Sequence, residues 1–412
     1  MKQIKKSFTL VELMIVIAIL AILSAIVIFV LNPGRLFDNM RDIRRVTDIT
    51  SIHKAINFME TWNTSMTYGT STFVYISIPA TNANCSDIAG LPTLPAGYTY
   101  ACSSQANYKK TDGTGWIPIN FTVSSDNRYL SNLPVDPVND NTYFYTYFPG
   151  GSYELTALLK NPNTNSINSE GSMTGAFTIG SPNRTKETPL SRDTNLIARW
   201  TFDEDSGNAL DYSGNNYIGT LNGPERVVTT GANKAMHYDA AGLDYIVTPS
   251  FAISDTGILT IEIWMKSVLN ATTSQFIIGD NLLSSISGSI YMYRSQNNDI
   301  VYFRYADGST GRYPGFTFFT GYDNQWVNIA IICDYANKTI KAYRNGIEFE
   351  STQNLVGNPL FPSSNNVKYI GSHNIISHKL VNGFLDDVRI YNRGLSADEI
   401  SQIYNATKSR YE

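Results

Sequence analysis

At 412 residues the chain exceeds the usual size of one domain, so more than one folded unit is expected. Charged residues make up only 16% and aromatic residues 12%, with 26 Tyr, a mixture that suits strands, turns and an extracellular setting better than a helical cytoplasmic enzyme. The net charge of −4 divides into +1 over residues 1–194 and −5 over residues 195–412, so neither half offers the basic footprint of a nucleic-acid binder.

The stretch "KKSFTLVELMIVIAILAIL" at 5–23 follows its lysines with one carboxylate, Glu12, at the head of an apolar run. A carboxylate in hydrocarbon is costly, so Glu12 requires a partner. Residues 13–31 carry no charge, and as a helix rising about 1.5 Å per residue they reach roughly 28 Å, close to the hydrocarbon thickness of a bilayer. Lys2, Lys5 and Lys6 would stay in the cytoplasm and send the C-terminal bulk outward. Pro33 and Gly34 interrupt the helix, which resumes at about Arg35 and ends near Trp62, with Leu36, Met40, Ile43 and Ile56 near one face. Arg41, Arg44 and Arg45 interleave with Asp38, Asp42 and Asp48, which points to a solvated or subunit-packing face and not to a nucleic-acid contact.

These N-terminal residues resemble the class III leader and N-terminal helix of type IV pilins and of the pseudopilins of type II secretion. The resemblance implies that a prepilin peptidase cuts between Ser7 and Phe8 and N-methylates Phe8. It also implies a task for Glu12: neutralising the Phe8 amine of a neighbouring subunit, which keeps two charges paired in an apolar filament core and fixes axial register. Ser7 replaces the family's usual glycine, and the proline common midway along the apolar segment is missing. The implied partners are other pilin subunits, the peptidase with its inner-membrane assembly machinery, and the inner membrane before assembly.

After a leader at 1–7 and a transmembrane and assembly helix at 8–62, residues 63–180 are expected to form a globular head. Strands are predicted in "STFVYISIPA", "GWIPINFTV", "NTYFYTYFPGGSYELTALL" and "GAFTIG". Cys85 and Cys102 share a Gly/Pro/Ser/Asn-rich stretch, and a disulfide closing that loop in an oxidising compartment contributes about 3 kcal/mol. Cys333, in the alternating run "WVNIAIICDY", reads as a small buried hydrophobe. The run "LPVDPVNDNTYFYTYFPGG" resembles the corresponding strand region of pseudopilins, with Asp136 and Asp140 expected as turn-forming acids. Residues 181–194 read as a linker.

From residue 195 to 412 the pattern becomes short alternating strands at regular spacing, that of an all-β sandwich, with Asn345-Gly346 marking a type I′ hairpin. "ARWTFDEDSGNALDYSGNNYIGTLNG", "AYRNG" and "GFLDDVRIYNRGLSADEISQIY" resemble laminin-G-like, concanavalin-A-like jelly-roll domains, and Ser396 with Glu399 forms a capping box for a closing helix. That resemblance implies a calcium ion held by Asp203, Asp211 and Asp386, supported by Asn215 and Asp387; turn-capping is the alternative role of these residues. Glycan stacking would draw on Tyr291, Tyr293, Tyr302, Tyr305 or Tyr313.

No Glu-x-Asp-x-x-Glu strand of the glucanase kind occurs, and Glu262 has no acidic companion on its strand, so no catalytic residues are expected. His53, His237, His373 and His378 form no close metal-binding pair in sequence. The expected fold class is thus an α+β pilin, with a long N-terminal helix and a small antiparallel sheet, followed by an all-β jelly-roll sandwich. The function this implies is a non-enzymatic pilin or pilin-like subunit. It would be inserted in the cytoplasmic membrane and then displayed in a surface filament, for adhesion through a glycan or surface-protein ligand and without a nucleic-acid partner. A secretion pseudopilin and a membrane-anchored calcium-dependent binding protein that never polymerises are the alternatives.

Overall fold

The structure is a computed structural model that describes residues 10–31, 33–62, 66–95, 97–122, 130–149, 153–161, 176–180, 193–229, 233–239, 242, 244–270, 272–280, 288–296, 298–373, 380 and 382–411. Helix α1 (Leu10–Leu31) has 22 residues and α2 (Pro33–Trp62) has 30. Pro33 opens α2, where its missing N–H removes no helical hydrogen bond. Side chains of α1 are described over 10–21, and the large apolar ones are exposed, from Val16 at 44% to Leu10 at 74%. Among the residues whose side chains are described, which in α1 are 10–21, no helical stretch is long and apolar enough to cross a membrane.

The apolar stripe of α2 splits. Ile49, Ile52, Ala55, Ile56 and Met59 point into a core, whereas Leu36, Phe37, Met40 and Ile43 are exposed. Arg45 departs from the solvated face expected for the α2 arginines. It is buried, with Nε 2.7 Å from Asp136 Oδ2, Nη2 3.0 Å from Oδ1 and Nη1 2.8 Å from Asp42 Oδ1, while Arg41 and Arg44 remain exposed. A buried guanidinium is tolerated only when paired this completely. Asp42 in turn accepts the backbone N–H groups of Lys160 and Asn161, so one cluster ties helix, turn and strand end together. Asp136 also caps its turn by accepting from Val138 N, and Asp140 does so from Thr142 and Tyr143.

The head sheet contains β1 (Phe73–Ile76), β2 (Thr99–Ala101), β3 (Tyr145–Phe148), β4 (Glu154–Leu158) and β5 (Ala176–Gly180), in the order β2-β1-β3-β4-β5. It is not wholly antiparallel as expected, since β2 runs parallel to β1. The loop between them is closed by a Cys85–Cys102 disulfide with Cα atoms 5.5 Å apart, and it returns the chain alongside β1. "GWIPINFTV" forms no named strand within its described residues. Pro118 cannot donate to a ladder, and Trp116, Ile117, Ile119 and Phe121 instead pack as an irregular segment into the core under α2.

The second unit begins with β6 (Leu196–Trp200), β7 (Thr220–Asn222), β8 (Glu225–Val228), β9 (Lys234–Tyr238), β10 (Tyr245–Val247), β11 (Ile258–Ser267) and β12 (Gln275–Asp280). It continues through β13 (Tyr291–Arg294), β14 (Val301–Ala306), β15 (Gly311–Arg312), β16 (Gly315–Phe316), β17 (Trp326–Asp334) and β18 (Thr339–Arg344). It ends with β19 (Ile347–Asn354), β20 (Lys368–Ile370), β21 (Gly383–Tyr391) and α3 (Ala397–Thr407). One sheet runs β15-β14-β13-β12-β20-β10-β7 with β16 beside β14; the other runs β19-β18-β17-β11-β21-β9-β8 with β6 beside β21. Together they make a jelly-roll sandwich whose core includes Trp200, Met236, Ile263, Phe303, Ile329 and Cys333. Burial pushes the Cys333 thiol up. Asn345 and Gly346, with φ of 52° and 78°, turn β18 into β19 and set Arg344 opposite Ile347.

The linker expected at 181–194 lies outside the described residues except for Asp193 and Thr194. Asp193 accepts from Arg393, which also holds Glu399 of α3. Head and sandwich touch where the Tyr98 ring lies 6.1 Å from that of Tyr212.

The disulfide closes a separation of 17 residues, and Cys85→Ser is expected to cost about 3 kcal/mol of head stability. Hydrogen exchange on the full chain should show β1 and β2 amides opening faster while β17 keeps its protection. Unchanged exchange in β1 would contradict this.

Candidate functional site

Alternation sends one set of side chains outward from the sheet built around β11. Thr260, Glu262, Trp264 and Lys266 of β11 are flanked by Trp326, Asn328, Ala330 and Ile332 of β17 and by Arg389 and Tyr391 of β21. Helix α3 covers one end of this face. Its start is fixed by the Ser396–Glu399 capping box, and Ile400 and Ile403 pack on Ala330, Ile332, Tyr343 and Tyr391.

Beneath the helix the face is charged. The ladder shifts register between Glu262 and Trp264, so β21 bulges, and Asp387 has a φ of 43°. Asp387 accepts from Arg199 Nε at 3.0 Å and from Arg389 at 2.5 Å and 3.0 Å. Burial alone would raise its carboxyl, but the two arginines outweigh burial and hold it below the usual carboxylate range. Neighbouring Asp386 faces different partners: Tyr411 OH donates to it at 2.7 Å and Asn233 at 3.2 Å. Burial, the largest influence, raises its carboxyl well above the ordinary value. Asp203 accepts from Arg410 at 2.5 Å, and Arg410 also acts electrostatically on Asp386.

The remaining calcium candidates sit elsewhere. Asp211 accepts the N–H groups of Arg199, Ser213 and Tyr217, clamping the turn after β6, and Asn215 donates to the Leu196 and Ile197 carbonyls. Each of the five residues thus has protein hydrogen-bond partners in this arrangement. The positive charges facing Asp203, Asp386 and Asp387 are guanidinium groups, and no cluster of three or more acidic, His or Cys residues suited to a metal occurs among the described residues. His53 bonds Tyr153 and Asn57, His237 lies against Phe384 and His373 against Phe276; His378 lies outside the described residues, as do Ser7 and Phe8. Glu12 falls in the first turn of α1.

Where α3 stops, the face opens into a cleft of about 530 Å³. Trp264 forms its floor, stacked on Tyr411 at 4.0 Å and on Tyr404 at 5.7 Å, with its indole N–H donating to Thr407 Oγ1 at 3.0 Å. Trp326, Lys266, Tyr322 and the amides of Asn324, Gln325 and Asn345 complete the lining. A Cβ on Gly346 would stand 2.9 Å from that of Tyr404, so the Asn-Gly turn is what lets the hairpin approach the helix. Sequence reasoning missed this cleft. Its one local signal was the outward register of Trp264 and Lys266 in "IEIWMKS".

The tyrosines singled out in sequence lie mainly on the opposite sheet. Phe276, Tyr293 and Tyr302 stack across three strands at 5.2 Å and 5.3 Å, and Tyr291 and Tyr313 are hydroxyl partners at 3.2 Å. Tyr305 leaves this set, because it is buried in the sandwich core and its hydroxyl bonds the Val356 backbone.

Glu262, buried beside Asn328, Arg389, Arg199 and Asp387, has its carboxyl pushed up to about 7, chiefly by burial and against the pull of Arg389. Its ordinary value is 4.5, so the folded state binds the extra proton between these limits. Stability is full below the lower limit and declines as pH rises through the upper one, by about 3 kcal/mol in all. Denaturation midpoints of the native chain should fall from about pH 5 to about pH 8, and Glu262→Gln should flatten that decline. Equal slopes would contradict the assignment.

Comparison with known proteins locates two matches in the chain. Residues 3–28 match the prokaryotic N-terminal methylation motif, and residues 240–401 match the concanavalin A-like lectin/glucanases superfamily. No curated protein matches the chain. Among solved structures, similarity is found to the receptor-binding domain of a botulinum neurotoxin C/D mosaic serotype, at 17% identity and a TM-score of 0.40, covering 51% of each chain. A serotype D neurotoxin ligand-binding domain in complex with N-acetylneuraminic acid gives 18% and 0.39, covering 51% of this chain and 50% of that one. Botulinum neurotoxin type C, whose cell entry depends on interaction with two ganglioside molecules, gives 12% and 0.41, covering 51% of each. The chain spans about half the length of these structures. What the chain carries is thus a prepilin-type methylation motif at one end and a lectin-like jelly-roll domain at the other.

Proposed function

We propose that this chain is a subunit of a type IV pilus or pilin-like surface filament, inserted by α1 in the cytoplasmic membrane before assembly and displaying its sandwich outside for adhesion. The observation that carries the proposal is the methylation motif at 3–28 leading into a helix whose large apolar side chains are exposed. A helix of that character has to be covered by lipid or by other helices, and a filament core supplies helices from neighbouring subunits.

Two features support the reading. The exposed Leu36, Phe37, Met40 and Ile43 continue the apolar surface of α1 onto α2, while the lower half of α2 is committed to the head. The Cys85–Cys102 disulfide suits an oxidising compartment outside the cytoplasm. The role we propose is binding and not catalysis: Glu262, the acid of the central strand, is 1% exposed and lies near Arg389 and Asn328. No calcium ion enters the proposal.

In this reading Glu12 pairs with the Phe8 amine of a neighbour. Glu12→Ala should leave the chain in the membrane fraction and reduce sheared filaments by at least about tenfold, the effect of leaving one buried charge unpaired. Normal filament yield from the variant would overturn the pairing.

A further inference from the structure

We propose that the cleft at the open end of α3 binds a carboxylated sugar. The inference rests on reading the sandwich as the displayed binding part of the chain, and it names the ligand class that part would take.

The lining combines what a sugar needs. Pyranose rings present apolar C–H faces that pack on aromatic rings, and hydroxyl edges that hydrogen-bond to amides and hydroxyls. Half-buried Trp326, Tyr322 and Tyr404 supply the rings. The cleft is also built in advance of any ligand. Trp264 is held against two tyrosine rings and by its bond to Thr407, and Asn345 is fixed because its side-chain oxygen accepts from Asn328 N at 2.9 Å, leaving its amide hydrogens as donors. A rigid site loses little entropy on binding.

Unspent donors line the same cleft. Among the described residues, the indole N–H of Trp326 and the hydroxyl of Tyr322 make no hydrogen bond, and Lys266 makes no ion pair, its Nζ lying 5.9 Å from the Phe384 ring centre. Lys266 is the one charged residue in the lining, which contains no carboxylate. A half-buried ammonium facing an acid-free, aromatic and amide-lined cleft is complementary to an anion carried on a ring-shaped polar molecule. A uronic acid or another carboxylated pyranose meets both conditions. A neutral sugar leaves Lys266 unused, and an acidic peptide leaves the rings unused.

The test uses the full chain in detergent micelles. Tetragalacturonate is titrated by calorimetry and by tryptophan fluorescence, with its methyl ester and a tetraglutamate peptide as controls. Tetragalacturonate should bind and quench fluorescence. Methyl esterification or Lys266→Gln should each weaken binding by about tenfold or more, the usual worth of a charge-assisted hydrogen bond, and Trp326→Ala should weaken it comparably. Lys266→Gln alters a half-exposed side chain and keeps the test valid should Trp326→Ala misfold. Absence of tetragalacturonate binding, equal binding of the ester, equal binding of tetraglutamate, or unaltered binding by Lys266→Gln would each overturn the proposal. Filament assembly is scored separately on sheared cells, so failure of the sugar site and failure of the filament reading give different results.

Discussion

An apolar helix that the described residues leave uncovered over 10–20 governs the rest of this molecule. Over residues 10–20 the large side chains of α1 stand 44–74% exposed, and each one left in water forfeits roughly 2 kcal/mol of burial. No later part of the chain can restore that loss without bending back over α1. Instead the fold commits its helical contacts from residue 42 onward, where Arg45, Asp42 and Asp136 lock α2 to the head and Ile49 to Met59 fill its core. In the filament reading proposed above, the cover for α1 comes from lipid or from other chains.

The sandwich solves a different problem. One sheet turns a charged and aromatic face outward, and α3 covers only part of it. Beneath the helix the charges are matched, with Asp387 between Arg199 and Arg389 and Asp203 against Arg410. Past Tyr404 the cover ends and the same strands deliver Trp264, Lys266 and Trp326 to an open cleft. Burial and recognition thus use one strand, β11, whose outward positions change from a buried acid to a half-exposed cation within four residues. The Asn345-Gly346 turn serves both, because only a glycine there lets Tyr404 approach.

Local signals in the sequence were legible where the physics is local. The Ser396–Glu399 capping box, the Asn-Gly hairpin and the alternating strands of the sandwich are written in adjacent residues, and the structure contains each of them. What sequence could not convey was which groups face one another across strands. Asp203, Asp386 and Asp387 read as a ligand set; in the fold Asp203 faces Arg410, 207 positions away, Asp387 faces Arg199, 188 positions away, and Arg389, two positions away, and Asp386 faces Tyr411 and Asn233, 25 and 153 positions away. Arg45 looked solvated by its helical neighbours, but its main partner, Asp136, is 91 positions distant. The parallel placement of β2 and the irregular course of residues 115–122 follow from a disulfide-closed loop and a proline, features that a strand pattern does not register. The cleft was illegible for the same reason as the arginine clamps, since Trp264 and Tyr411 meet only after the sheet and α3 have formed.

The central claim is that this chain is processed and assembled as a surface filament subunit. Mass spectrometry of the N-terminal peptide of protein sheared from cells tests it most directly. The account predicts a peptide beginning with N-methylated Phe8, recovered in the sheared fraction. A chain that retains residues 1–7 and stays in the membrane fraction would contradict it and leave an anchored binding protein in its place.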